Sequence, residues 1–265
     1  MSKMSRTWGP RRRGGGGQQL SALSTTGHDH LPEIWCRCDG GPHRSLRIAL
    51  QAHAAALSVE VRYGGVDILA DPGTYCYLGD SPWRSYRHAH AMATEVIDYG
   101  DVANWAAEHD GCLWVDSPAR HRRSVLLDRA SRIIDIVDQI EGGSHDICPV
   151  FHFGPEIQVE LIGFCAFLSW PSSATPGTAR LELPPGLSWS LRRAEIRTSP
   201  AGPGRRVSAF KLLGRGRCVA GTPLATRLEF SDTQMLPNSP FYQAVSWSMY
   251  GGCRGDEHDT QAEAR

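Results

Sequence analysis

The side chains best placed to do chemistry sit in two short segments. Leu50-Gln-Ala-His-Ala-Ala-Ala-Leu-Ser-Val-Glu-Val61 carries His53, and Ile68-Leu-Ala-Asp-Pro-Gly-Thr-Tyr-Cys-Tyr77 carries Asp71. An imidazole and a carboxylate can share a divalent metal or pass a proton when the backbone brings them within a few ångströms. Gly64-Gly65 reads as a tight turn, so the two segments read as consecutive strands of a hairpin. His53 is then expected on a strand and Asp71 just after the next one, within metal-sharing reach of each other. The same pair has a plainer reading: His53 as a satisfied, half-buried histidine, and Asp71 as the cap of the Pro72-Gly73 turn. Zinc asks for three or four N, S or O ligands, and His88 or His90 could add one.

The elements that must hold these residues are short and β-type. Leu57–Arg62, Val66–Ala70, Ser124–Leu127, Ile133–Gln139, Val150–Phe153, Ile157–Ile162, Ala179–Leu183, Ser188–Leu191 and Arg227–Phe230 are runs of strand-forming residues. Breaks fall at Asp71-Pro72-Gly73, Gly142-Gly143, Gly154-Pro155, Pro184-Pro185-Gly186 and Pro200–Gly204. Many short strands with regular turns predict an all-β, antiparallel β-sandwich. Ser124–Asp128 and Arg132–Asp138 read as one hairpin. A short helix is predicted around Val102–Glu108.

Residues 1–30 are poor in apolar side chains and rich in Gly, Arg and Ser, which predicts a disordered segment. The sandwich is expected over 31–232, followed by a partly disordered extension over 233–265. The basic, Gly-rich start lacks the apolar stretch of a secretory signal, and the chain does not otherwise reveal its compartment. The 28 Lys and Arg residues equal the 28 Asp and Glu residues, so no overall field attracts nucleic acid. No apolar run is long enough to span a bilayer. The basic cluster Arg120-His-Arg-Arg123 reads as the solvated face of a strand. Eight cysteines are scattered without a Cys-x-x-Cys pair and read as unpaired small hydrophobes.

These segments together resemble the C-terminal β domain of the heparinase II/III-like polysaccharide lyases. The family reads His-Gly-His-Ala-Asp-Ala-Leu-Ser where this chain has Gln51-Ala-His-Ala-Ala-Ala-Leu-Ser58. It reads Asp-Pro-Gly-Thr-Tyr where the chain has Asp71–Tyr75, here followed by Pro82-Trp-Arg-Ser-Tyr86. Weaker likenesses lie at Asp39–His43, Glu108–Gly111, Arg120–Val125, Phe151-His-Phe-Gly-Pro155 and Gly221–Leu224.

The resemblance implies β-elimination on polysaccharides that contain uronic acid. A base removes the proton beside the carboxylate, a neutralising group stabilises the enolate, and an acid protonates the leaving oxygen. It implies a metal pair at His53 and Asp71, with Zn as the candidate ion. Gln51 stands at the family's catalytic histidine, and Met92, or His90 beside it, falls near the third-ligand position. Arg84 and Arg87 could pair with a uronate carboxylate or with surface acids. Tyr86, with Tyr75, Tyr77 and Trp83, could stack on sugar rings or plug the core. The family's remaining catalytic groups come from an N-terminal helical toroid. About thirty residues precede the sandwich here, so a toroid is expected only in trans. The expectation is an acidic-polysaccharide lyase domain with a degenerate active site and no turnover as an isolated chain. A non-catalytic carbohydrate-binding or structural module is the alternative.

Overall fold

The strand Ile133–Glu141 shows how alternation builds this molecule. Ile134, Ile136 and Asp138 point inward, while Asp135, Val137 and Gln139 lie on the partly exposed face. The computed structural model describes residues 31–40, 57–71, 91–109, 118–171, 173–197 and 206–231, with the backbone alone at 20–24, 91–94 and 197. All of these belong to the unit Met1–Asp232; Thr233–Arg265 lies outside the described residues.

Sixteen strands are described: β1 (Leu20–Ser24), β2 (Ile34–Asp39), β3 (Val59–Tyr63), β4 (Val66–Leu69), β5 (Ala91–Tyr99), β6 (Val102–His109), β7 (Arg120–Asp128), β8 (Ile133–Glu141), β9 (His145–Ile147), β10 (Val150–His152), β11 (Gln158–Ile162), β12 (Cys165–Ser169), β13 (Thr178–Glu182), β14 (Ser188–Arg197), β15 (Arg206–Cys218) and β16 (Leu224–Ser231). Every pairing between them is antiparallel. One sheet runs β11-β12-β13-β16-β8-β7-β6-β5. A second runs β1-β2-β3-β4, and a third runs β10-β15-β14 with β9 beside β15. A bridge from Leu69 to Phe153 joins the second sheet to the third.

The predicted sandwich is therefore present. Ile34, Cys36, Val61, Tyr63 and Ile68 from the second sheet share one core with Trp105, Val125, Leu127, Ile134, Leu181 and Leu228 of the large sheet. Tyr63 crosses between layers, stacking on Phe230 at 5.3 Å and meeting Trp170 edge-on at 5.3 Å. Such ring pairs add about 0.5–1.5 kcal/mol beyond the area they bury. The Gly64-Gly65 turn joins β3 to β4 as predicted, with φ of +54° and +89° that only glycine adopts at no cost.

Three expectations need correction. The helix predicted at Val102–Glu108 is β6, a central strand paired on both sides by β5 and β7. Its alanines favour helix locally, but two ladders and the burial of Ala103, Trp105 and Ala107 override that preference. The second sheet begins earlier than predicted: Leu20–Ser24 pairs with β2, inside the segment read as disordered. The basic cluster on β7 is not simply solvated, because His121 and Arg123 share the inward parity of Val125 and Leu127. The Arg123 side chain is only 17% exposed.

Candidate functional site

The predicted hairpin places Asp71 two residues beyond the end of β4. There the chain runs beside β10: the Ala70 amide donates to the His152 carbonyl at 2.9 Å. Asp71 lies near enough to His152 and Glu60 to shift both. Burial lowers the His152 pKa and the Lys211 ammonium lowers it further, while Asp71 works in the opposite direction. The balance leaves the His152 pKa below that of a free imidazole. Its Nδ1 is buried and makes no hydrogen bond among the described residues. Burial raises the Glu60 carboxyl; Arg37, at 2.8 Å, opposes that, and Asp71 and Asp67 reinforce it.

A second polar group sits where the His53 segment rejoins the sheet. Strand β3 starts only at Val59, and Leu57 has a φ of +60°. That conformation strains a branched residue, and three backbone contacts hold it. The Leu57 amide donates to the Asp39 carbonyl at 2.9 Å, and the Asp39 amide donates to Ser58 at 3.1 Å. Arg123 donates from Nη1 to the Leu57 carbonyl at 2.7 Å. The rest of the Arg123 guanidinium forks onto Asp138 at 2.7 and 2.8 Å. His121 Nε2 lies 2.6 Å from the same carboxylate.

Arg123 and Asp138 are directly opposite on β7 and β8. Burial alone would raise the Asp138 pKa. The Arg123 charge and the hydrogen bonds from His121 and Arg123 outweigh it and hold this carboxyl far below the usual carboxylate range. Burial likewise disfavours the Arg123 charge, and Asp138 overcomes it. Cys36 and Cys38 lie beside this group with Sγ atoms 3.9 Å apart, and all five described cysteines are free thiols.

Of the residues singled out from sequence, only Asp71 and Met92 fall among the described residues. Met92 lies on β5 opposite Glu108, known from its backbone alone. Gln51, His53, Arg84, Tyr86, Arg87, His88 and His90 lie outside the described residues, as do Tyr75, Tyr77 and Trp83. Among the described residues no cluster of three or more His, Cys, Asp or Glu is placed to hold a metal ion. Sequence reasoning missed His121, Arg123, Asp138, His152 and Lys211. Asp138 carried a usable signal, since it follows Ile134 and Ile136 at the inward parity of β8. His152 and Lys211 carried none, because their proximity is made by strand register.

Residues 32–94 match the family model described as heparinase II/III-like, C-terminal. That span includes Gln51, His53, Asp71 and Met92. The heparan sulfate lyase HepC from Pedobacter heparinus is similar in structure, at 12% identity and a TM-score of 0.60 over 82% of this chain and 36% of that one. A crystal structure of heparinase III is similar at 11% identity and a TM-score of 0.61, over 82% of this chain and 37% of that one. The chain thus spans about a third of the length of these solved structures. No curated protein matches it. The likeness is thus to the heparinase II/III-like C-terminal family model over residues 32–94, and to the fold of these solved structures over most of the chain.

Proposed function

We propose that this chain is the sandwich portion of a lyase that works by β-elimination on uronic-acid-containing polysaccharide, with part of the catalytic set replaced. The observation that supports it most is the family match over residues 32–94, on a sandwich that sets Asp71 beside the β10 edge. Solved proteins of the same fold are described as a heparan sulfate lyase and a heparinase.

The replaced positions narrow the reading. Gln51 has an amide where the resemblance asks for an imidazole, and an amide cannot take up the C5 proton at neutral pH. Loss of one positioned acid or base costs about 10²- to 10⁴-fold in rate. For zinc, His53 and Asp71 are suitable donors, but the thioether of Met92 suits a softer ion. That set does not fit tetrahedral zinc, and no step of the proposal runs through a metal.

A non-catalytic glycan-binding module is the second reading, favoured by the Gln51 replacement. Binding and turnover, measured together, test both. The purified chain is incubated with heparan sulfate, alginate and chondroitin, with and without added zinc, and the unsaturated product is followed by ultraviolet absorbance. The expected result is retention of polysaccharide with no measurable product. Robust product formation would overturn the replaced-site reading. Failure to retain any uronate polysaccharide would overturn the lyase-type assignment.

A further inference from the structure

We infer that His152, Lys211 and Arg192, aligned across β10, β15 and β14, form a binding row for the carboxylate or sulfate groups of an acidic glycan. The glycan class rests on the lyase-type reading above; the row rests on strand register. His152 is directly opposite Lys211, and Lys211 is directly opposite Arg192. Opposed residues in antiparallel strands project from the same face. Adjacent strands lie about 4.8 Å apart, so the row spans roughly 10 Å.

Residues of the other parity, Phe151, Leu212 and Leu191, pack into or against the core. The row therefore projects from the opposite face of this sheet. His152 is its half-buried end and Arg192 its exposed end. Asp71 stands near the histidine end, which leaves the Lys211–Arg192 end as the seat for an anion.

The row differs from most arginines of the sandwich. Arg37, Arg62, Arg123, Arg180 and Arg227 each meet a carboxylate. Lys211 and Arg192 have no ion pair among the described residues. Like charges directly opposite in a sheet are destabilising, so the row costs stability until an anion lies across it. A chain with zero net charge owes this patch to placement rather than to composition. Planar, forked Arg192 suits a carboxylate or sulfate edge, and Lys211 supplies a compact point charge beside it.

The test measures equilibrium binding by the full chain of three probes: a heparan sulfate oligosaccharide, a neutral cello-oligosaccharide, and a single-stranded oligonucleotide of matching charge. Wild type should bind the first, in a salt-sensitive manner, and neither of the others. Lys211→Gln and Arg192→Gln should each weaken binding by about tenfold, the scale of one hydrogen bond to a charged group. Lys211→Arg should keep most of it. Arg227→Gln, which removes an arginine already paired with Asp135, should leave it unchanged. Circular dichroism on each variant confirms the fold. Wild-type binding that neither substitution alters overturns the row and leaves the glycan reading standing. Absence of wild-type binding overturns both, and equal binding of the oligonucleotide overturns the glycan assignment.

Discussion

Two polar groups in this sandwich use arginine and histidine in opposite ways. On the inward face of the β7–β8 hairpin, Arg123, His121 and Asp138 form a closed set in which the charges answer one another. On the outer face of the third sheet, His152, Lys211 and Arg192 stand side by side. Both depend on cross-strand register, and both pair residues distant in sequence. The first set spends its charge holding the Leu57 carbonyl, and with it the end of the His53 segment. The second has charge left over. A closed ionic set reads as support, and an open one as a place for a ligand.

The largest effect that would sharpen this contrast is on stability. Asp138→Ala leaves the buried Arg123 guanidinium uncompensated and should cost about 3–5 kcal/mol, measured by urea unfolding. A loss under about 1 kcal/mol would show that the set is hydrated and remove the contrast.

Arg123→Lys comes next. Lysine keeps the charge but cannot both fork onto Asp138 and reach Leu57. The expected loss is about 1–3 kcal/mol, the scale of a buried partner left unsatisfied. Amide exchange should quicken at Leu57 and Asp39.

The pH dependence follows from Asp138. Its folded-state pKa is depressed below the ordinary 3.8 of the unfolded chain. The stabilisation is therefore complete above about pH 4 and is lost as pH falls toward the folded value. Acid unfolding of wild type should be steeper below pH 4 than that of Asp138→Asn. Parallel curves would assign the acid sensitivity to other carboxylates.

The smallest stability effect is expected in the open row. Lys211→Gln removes a charge flanked by His152 and Arg192, so unfolding free energy should change by no more than about 0.5 kcal/mol, or rise slightly. A large loss would make Lys211 structural and end its comparison with the closed set.

Local patterns carried the fold well where elements are joined by short turns. Gly64-Gly65 and the β7–β8 hairpin are both readable from turn residues and alternation. They did not reach β15, which is absent from the predicted runs and carries Gly214-Arg-Gly216 within the strand. A Cβ at Gly214 would lie 2.8 Å from the Trp189 ring, and one at Gly216 would lie 2.7 Å from Leu187. These glycines make room for neighbours rather than ending a strand. The site was legible in the same uneven way. Asp71 was marked by its turn, and the structure sets it beyond β4 as expected. Arg123 was read as surface because four polar residues in a row mask the alternation that turns two of them inward. The His152–Lys211–Arg192 row was invisible, since it is a product of register across three strands.

The contrast between closed support and open binding row is tested most directly by mapping backbone amide shifts as a heparan sulfate oligosaccharide is titrated into the labelled chain. The account predicts shifts concentrated at His152, Lys211 and Arg192 and their strand neighbours, with Arg123 and Asp138 unmoved. Shifts centred on β7 and β8, or none along β10, β15 and β14 at saturation, would contradict it.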